Sequence, residues 1–221
     1  MRKQKLGIYA GLDLSLAGTA GVLLDHKGEV VSVLAFSSSK REVAKLNIGK
    51  HHLVQAPEVK QGDPQAMWRR TVFVANEIHD WLVMWAEPDC LVGIEDHAFG
   101  ARGSSIYQLG HLHGIVRHGL QRDGKKWLLI APTELKAAVT GKGNADKQLM
   151  MSVPTPKLEQ EAFGASSRNN VVDAYWLARL TMAYAECQTD KGTLTAIPGS
   201  FAKVLLPHAK RPGLMARKVL P

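Results

Sequence analysis

The sequence predicts an α/β domain built on a mixed five-stranded sheet, three antiparallel strands followed by two parallel ones, flanked by helices. Three observations carry that expectation. Three short apolar, β-prone runs follow one another near the start; two further apolar runs alternate with long segments of helical periodicity; and the first and fourth runs each finish on a carboxylate, Asp13 and Glu95. A block of strands followed by strand and helix in alternation is the pattern of a mixed sheet.

Taken in order, KLGIYAGLDL, TAGVLLD and GEVVSVLAFS read as an antiparallel meander, with HKG at 26 to 28 as its hairpin turn. Residues 37 to 63 lack clear periodicity and hold charged and His-rich patches, so a long excursion is expected there. Asp63-Pro64 has the form of an N-cap with proline at the first helical position, and AMWRRTVFVANEIHDWLVMWAE continues as a helix ending before Pro88. CLVGIE is the fourth strand, buried by its continuous apolar run. SSIYQLGHLHGIVRHGLQ is a helix capped by Ser104 or Ser105, KKWLLIAP the fifth strand, and PTELKAAVTG a short helix stopped by Gly141. GKGNADKQLMMSV is a loop and short helix, broken by Pro154 and Pro156; RNNVVDAYWLARLTMAYAE is the last helix. Residues 1–186 therefore form one domain, and 187–221 a basic, Pro- and Gly-containing tail.

Composition bounds the function. A chain of 221 residues with 45% hydrophobic and 22% charged content can bury one good-sized core. No apolar run reaches the ~18 residues of a membrane span, and MRKQKLGIYAG has no signal-peptide core, so a soluble cytoplasmic protein without membrane association is expected. Cys90 and Cys187 fit neither metal spacing nor a disulfide scaffold and read as free thiols. A net charge of +8 attracts polyanions such as nucleic acid or anionic lipid. From residue 188 onward six basic residues, Lys191, Lys203, Lys210, Arg211, Arg217 and Lys218, stand against Asp190 alone; the tail is either a solvated arm or a nucleic-acid contact.

The carboxylates are the chemical clue. If the first and fourth strands lie side by side, Asp13 and Glu95 end in one cleft, and a helix packed across the sheet can bring Asp173 to the same spot. Each acid alone reads as an exposed charge or a helix cap; three at these places read as a site. Their mutual repulsion is relieved by divalent cations, and hard oxygen ligands select Mg²⁺ or Mn²⁺ over zinc. Two such ions can clamp the attacking and leaving oxygens of a phosphodiester displacement. His111, His113 and His118 lack the i, i+4 spacing of a helical zinc pair and read as surface or interface residues.

Four blocks, GLDLSLAGTAGVLLD, VGIEDHAFGARGSSIYQLGHLHGIVRHGL, APTELKAAVTGKGNADKQLM and NNVVDAYWLARL, occur in the order seen in RuvC-like Holliday junction resolvases of the RNase H-like superfamily, and resemble its phage-type branch most. The resemblance spans about residues 6 to 184, apart from the excursion. It implies a homodimeric, Mg²⁺-dependent endonuclease that nicks opposed strands of a four-way DNA junction in a bacterial or phage-infected cell, with a mitochondrial setting as the alternative. Carried over by position, Asp13 would bridge two metal ions, Glu95 would bind one and Asp173 the other. Lys147 would lie near the scissile phosphate, where an ammonium stabilises transition-state charge. Lys136, Lys142 and Arg102 would contact DNA, and Gly141 and Gly143 would let the backbone approach it. Phe99 would stack on an unpaired base, with core packing as its alternative. The helix from 104 to 121 would mediate the dimer.

One departure stands out. The family usually places a second acid three residues before the last Asp; here that position is Asn170, whose amide oxygen can ligate Mg²⁺ but adds no charge. Three explanations remain open: an active three-acid site, a junction-binding protein with weakened cleavage, or a deliberately altered chain. Asp96 would compensate only if the fourth strand ended before it. Rival readings are a non-catalytic junction binder, another RNase H-fold nuclease acting on branched DNA or RNA, and an actin-like ATPase, which would need a second lobe that the chain lacks.

Overall fold

The computed structural model describes residues 7–16, 18–37, 50–59, 63, 65–96, 104–156, 158, 165–189 and 219–220. Strands β1 (Tyr9–Asp13), β2 (Ala20–Leu24) and β3 (Val30–Ser37) form the expected antiparallel meander, closed by a turn at Gly28. Next come β4 (His51–Gln55), helix α1 (Ala66–Trp85), β5 (Leu91–Glu95) and α2 (Ser104–Arg122). The chain continues through β6 (Lys126–Ile130), α3 (Pro132–Thr140), α4 (Lys147–Ser152), α5 (Ala165–Thr189) and β7 (Val219–Leu220). The sheet order is β4-β3-β2-β1-β5-β6-β7, with β1, β5 and β6 parallel. Its central five strands are those expected, three antiparallel followed by two parallel.

Two strands were not anticipated. HHLVQ, inside the supposed excursion, is β4, paired parallel to β3 from Val33↔His51 to Ser37↔Gln55. Its apolar signal is confined to Leu53 and Val54, so the strand is made by pairing at a sheet edge rather than by an alternating pattern of its own. At the other edge β7 pairs antiparallel to β6, Trp127↔Leu220, so part of the expected linker-like tail returns to the sheet. Residues 37, 50, 56–59 and 63 of the excursion are also described, and residues 187–189 of the tail continue the last helix; the rest of both segments lies outside the described residues.

Helix ends follow local chemistry with small shifts. Helix α1 begins at Ala66, two residues later than its proline suggested. Asp63 still organises the start, its carboxylate accepting from the Gln65 N–H at 2.9 Å and its carbonyl from the Ala66 N–H at 3.2 Å. Helix α3 has proline in its first turn and stops at Gly141, whose φ of 79° is the left-handed cap conformation. Asp146 caps α4 by accepting from the Leu149 N–H at 2.8 Å. Helix α5 starts earlier than expected, which places Asp173 roughly two turns inside it.

Alternation along the strands splits the core into two layers. Ala10, Leu12, Leu23, Leu34, Val92 and Ile94 face α1 and α2; Val22, Leu24, Val33, Leu128 and Ile130 face α3, α4 and α5. Period two therefore turns Gly11 and Asp13 of β1, and Gly93 and Glu95 of β5, toward α5. The two glycines are paired, Gly11↔Gly93; the backbone of α5 lies directly on Gly11, and its Thr181 side chain on Gly93. A Cβ at Gly11 would sit 2.1 Å from the Ala174 carbonyl oxygen, and one at Gly93 would sit 1.9 Å from Thr181 Oγ1. Cys90 is a buried free thiol as expected, and Cys187 lies outside the described side chains. His113, expected at the surface or an interface, is buried within the chain in α2, while His111 and His118 are exposed.

Gly93→Ala is expected to destabilise the fold by about 1–3 kcal/mol through overpacking, and Thr181→Ala should recover part of that loss because it removes the clashing hydroxyl. Gly11→Ala should cost at least as much with no such rescue, since its clash is with backbone. Urea melts of Gly93→Ala, Gly93→Ala/Thr181→Ala and Gly11→Ala check this.

Candidate active site

Asp13 and Glu95 come together because β1 and β5 are parallel neighbours, with Leu12↔Ile94 paired one residue before the two acids. Asp173 joins them because α5 lies so close over Gly11 and Gly93. Asp13 and Glu95 share a side-chain hydrogen bond, and both feel the charge of Asp173. A hydrogen bond between two carboxyl groups needs a proton on one of them.

The electrostatics follow from burial. Desolvation first, then Glu95 and Asp173, push the Asp13 carboxyl well above the usual carboxylate range. Glu95 is pushed up to about 7 by desolvation and by Asp173, and Asp173 to about 6 by desolvation. Two lysines oppose these shifts: Lys147 acts on all three acids, and Lys136 on Glu95 and Asp173. Lys136 is half-buried on α3. That helix is tied to α5 where the buried Tyr184 hydroxyl donates to the Glu134 carboxylate. Lys147 is exposed and opens α4, which is anchored by the buried Met150.

The remaining expected residues are more dispersed. Lys142 is exposed on the turn joining α3 to α4; its N–H donates to Thr140 Oγ1 at 3.1 Å and its carbonyl accepts from Ala145 at 3.2 Å. Asn170 sits on α5 one turn before Asp173, and its amide donates to the Gly18 carbonyl. Asp96 is the residue after the end of β5, and its N–H pairs with the Ile130 carbonyl at 2.8 Å. Phe99 and Arg102 lie outside the described residues. The glycines under α5 and the polar turn after Asp13 were missed by sequence reasoning, although glycine inside a strand does signal a close backbone approach.

Among the described residues no three His, Cys, Asp or Glu side chains are gathered into a closed metal-ligating cluster. The donors nonetheless fit a hard divalent cation. They are all oxygens, and the mutual repulsion of their negative charges is only partly offset by Lys147 and Lys136.

The sequence has a match in keeping with this geometry. The chain is 32% identical over 94 residues to the crossover junction endodeoxyribonuclease RuvC of Paenarthrobacter aurescens (strain TC1), an alignment covering 42% of this chain and 49% of the relative. The chain thus spans about half the length of this curated relative, and no protein-family model matches it. Among solved structures, Thermus thermophilus RuvC in complex with a Holliday junction substrate aligns with a TM-score of 0.48 at 12% identity, covering 80% of this chain and 92% of that one. A second Thermus thermophilus RuvC structure gives 0.47 at 17% identity, covering 80% and 93%. The yeast mitochondrial Holliday junction resolvase Ydc2 gives 0.45 at 10% identity, covering 94% and 82%.

The raised carboxyls carry a stability signature. An acid whose folded pKa lies above its unfolded value binds more protons when folded, so its destabilisation is absent below the unfolded pKa and complete above the folded one. In EDTA, the melting temperature is expected to fall as pH rises from about 4.5 through 7, the window set by Glu95 and Asp173. Mg²⁺ or Mn²⁺ at pH 8 should restore at least about 5 °C. Glu95→Gln should flatten the pH profile, which a thermal melt series measures.

Proposed function

We propose that the chain is a divalent-metal-dependent endonuclease that resolves four-way DNA junctions by paired nicking, acting as a homodimer. The observation that carries this reading is the convergence of Asp13, Glu95 and Asp173, from three distant segments, within the fields of Lys147 and Lys136. The RuvC relative, named as a crossover junction endodeoxyribonuclease, supports the substrate class.

In this reading Asp13, Glu95 and Asp173 would hold two Mg²⁺ ions, Mn²⁺ substituting, with Asp13 contributing to both, Glu95 to one and Asp173 to the other; the amide oxygen of Asn170 would be the fourth candidate ligand. Held there, the ions would supply charge neutralisation and Lewis-acid assistance to phosphodiester displacement. Lys147 faces the scissile phosphate and offsets the charge that develops as a bond to water oxygen forms and the bond to the leaving sugar oxygen breaks. Lys136 and Lys142 track the neighbouring backbone, and Phe99 and Arg102 contact DNA near the junction centre. Helix α2 forms the dimer face; its exposed row Tyr107, His111, Gly114 and His118 contains no Lys, Arg, Asp or Glu, which suits the charge-depleted core of an interface.

The test compares four-way junction, flap, RNA–DNA hybrid and plain duplex at one stated salt concentration with Mg²⁺ or Mn²⁺. Paired nicks across the junction are expected. Asp13→Asn and Glu95→Gln should abolish them while junction binding persists, and Lys147→Ala should slow them about 10²-fold. Junctions bound tightly but left intact by the unaltered chain would sink the nuclease reading and leave a junction-binding protein; faster cutting of flap or hybrid would move the substrate.

A further inference from the structure

Asn170 stands where the resolvase pattern has an acid, and the contacts around it give the amide a task that an acid cannot perform. Its side-chain N–H donates to the carbonyl of Gly18, in the turn between β1 and β2. The fit is close: a Cβ at Gly18 would lie 2.8 Å from the Asn170 amide nitrogen. The turn is also cross-braced from within. The Ser15 N–H donates to Thr19 Oγ1 at 3.1 Å, the Thr19 hydroxyl donates to the Ser15 carbonyl at 2.8 Å, and the Thr19 carbonyl accepts from the Phe36 N–H at 2.9 Å. One helical turn earlier, the buried Ser167 hydroxyl donates to the Phe36 carbonyl at 3.4 Å. The start of α5 is thus stitched to the turn and to β3.

We infer that Asn170 is a positioning residue, a latch whose N–H holds the β1–β2 turn to α5 and thereby sets Asp13 against Asp173. The turn begins at the residue after Asp13, and Asn170 lies one helical turn from Asp173 on the same face, so the single bond links the supports of both acids. An ionised carboxylate at 170 has no hydrogen to donate and would face the Gly18 carbonyl oxygen with like charge. The NxxD pattern is then the form of the site that this turn demands, rather than a four-acid site short of one ligand. The latch rests on these contacts alone; its consequence for cleavage rests on the nuclease reading above.

The full chain in EDTA, as unaltered protein and as Asn170→Asp, Asn170→Ala, Gly18→Ala and Gly18→Ala/Asn170→Ala, tests this by amide hydrogen exchange and thermal melting. Asn170→Asp is expected to raise exchange in residues 14–19 about tenfold while leaving β6 unchanged, and to lower the melting temperature by about 2–6 °C. Gly18→Ala should do the same alone but add little to Asn170→Ala, because both break one bond. If Asn170→Asp does not fold, Asn170→Ala carries the same expectations without an added charge. On four-way junctions with Mn²⁺, Asn170→Asp should nick about 10- to 100-fold more slowly than the unaltered chain. Unchanged exchange at 14–19, or faster nicking by Asn170→Asp, would overturn the latch. If even the unaltered chain leaves junctions intact, the nuclease reading fails, and exchange and melting still decide the latch.

Discussion

The arrangement depends on the backbone-close seat of α5 upon β1 and β5. Gly11 and Gly93 are register partners on one face of the sheet, and any side chain at either would overlap the helix. That seat lowers α5 into the core deeply enough to bury it on nearly all sides from Val171 to Tyr184. A helix buried all round lacks a clean amphipathic stripe, which is why its apolar residues resist assignment to one face. The same descent brings Asp173, carried two turns into the helix, to the strand ends that hold Asp13 and Glu95.

Gathering three carboxyls in a desolvated place is unfavourable, and the fold offsets this only in part. Lys147 and Lys136 lower the cost from the α4 and α3 side, and the raised Asp13 and Glu95 carboxyls show how much repulsion and desolvation remain. A site that keeps such a residual excess of negative charge is suited to a cation, since its attraction for one grows with the repulsion left uncompensated. Stability is thereby given up locally for binding capacity, as is common at functional sites. The large apolar layers on both faces of the sheet tolerate that loss.

Much of this was legible in the residues. The three-strand meander, the carboxylate-terminated runs at Asp13 and Glu95, the αL stop at Gly141 and the late helix bearing Asp173 all follow from patterns spanning a few residues: period two, period 3.6, and capping. The strand β4 was not legible, because HHLVQ has too little alternation to announce itself and becomes a strand only through its partner β3. Nor was the burial of His113, which depends on how α2 packs rather than on its own neighbours in sequence.

The sequence by itself therefore determined the kinds of element, their order and the identities of the three acids, because local periodicity and turn chemistry act over a handful of residues. Tertiary structure alone decided how near those acids come, which lysines face them, and that Asn170 meets the Gly18 carbonyl across 152 positions of chain. These are distances between segments far apart in sequence. They are set by strand register and by how closely a helix can approach a sheet, and no local pattern encodes either.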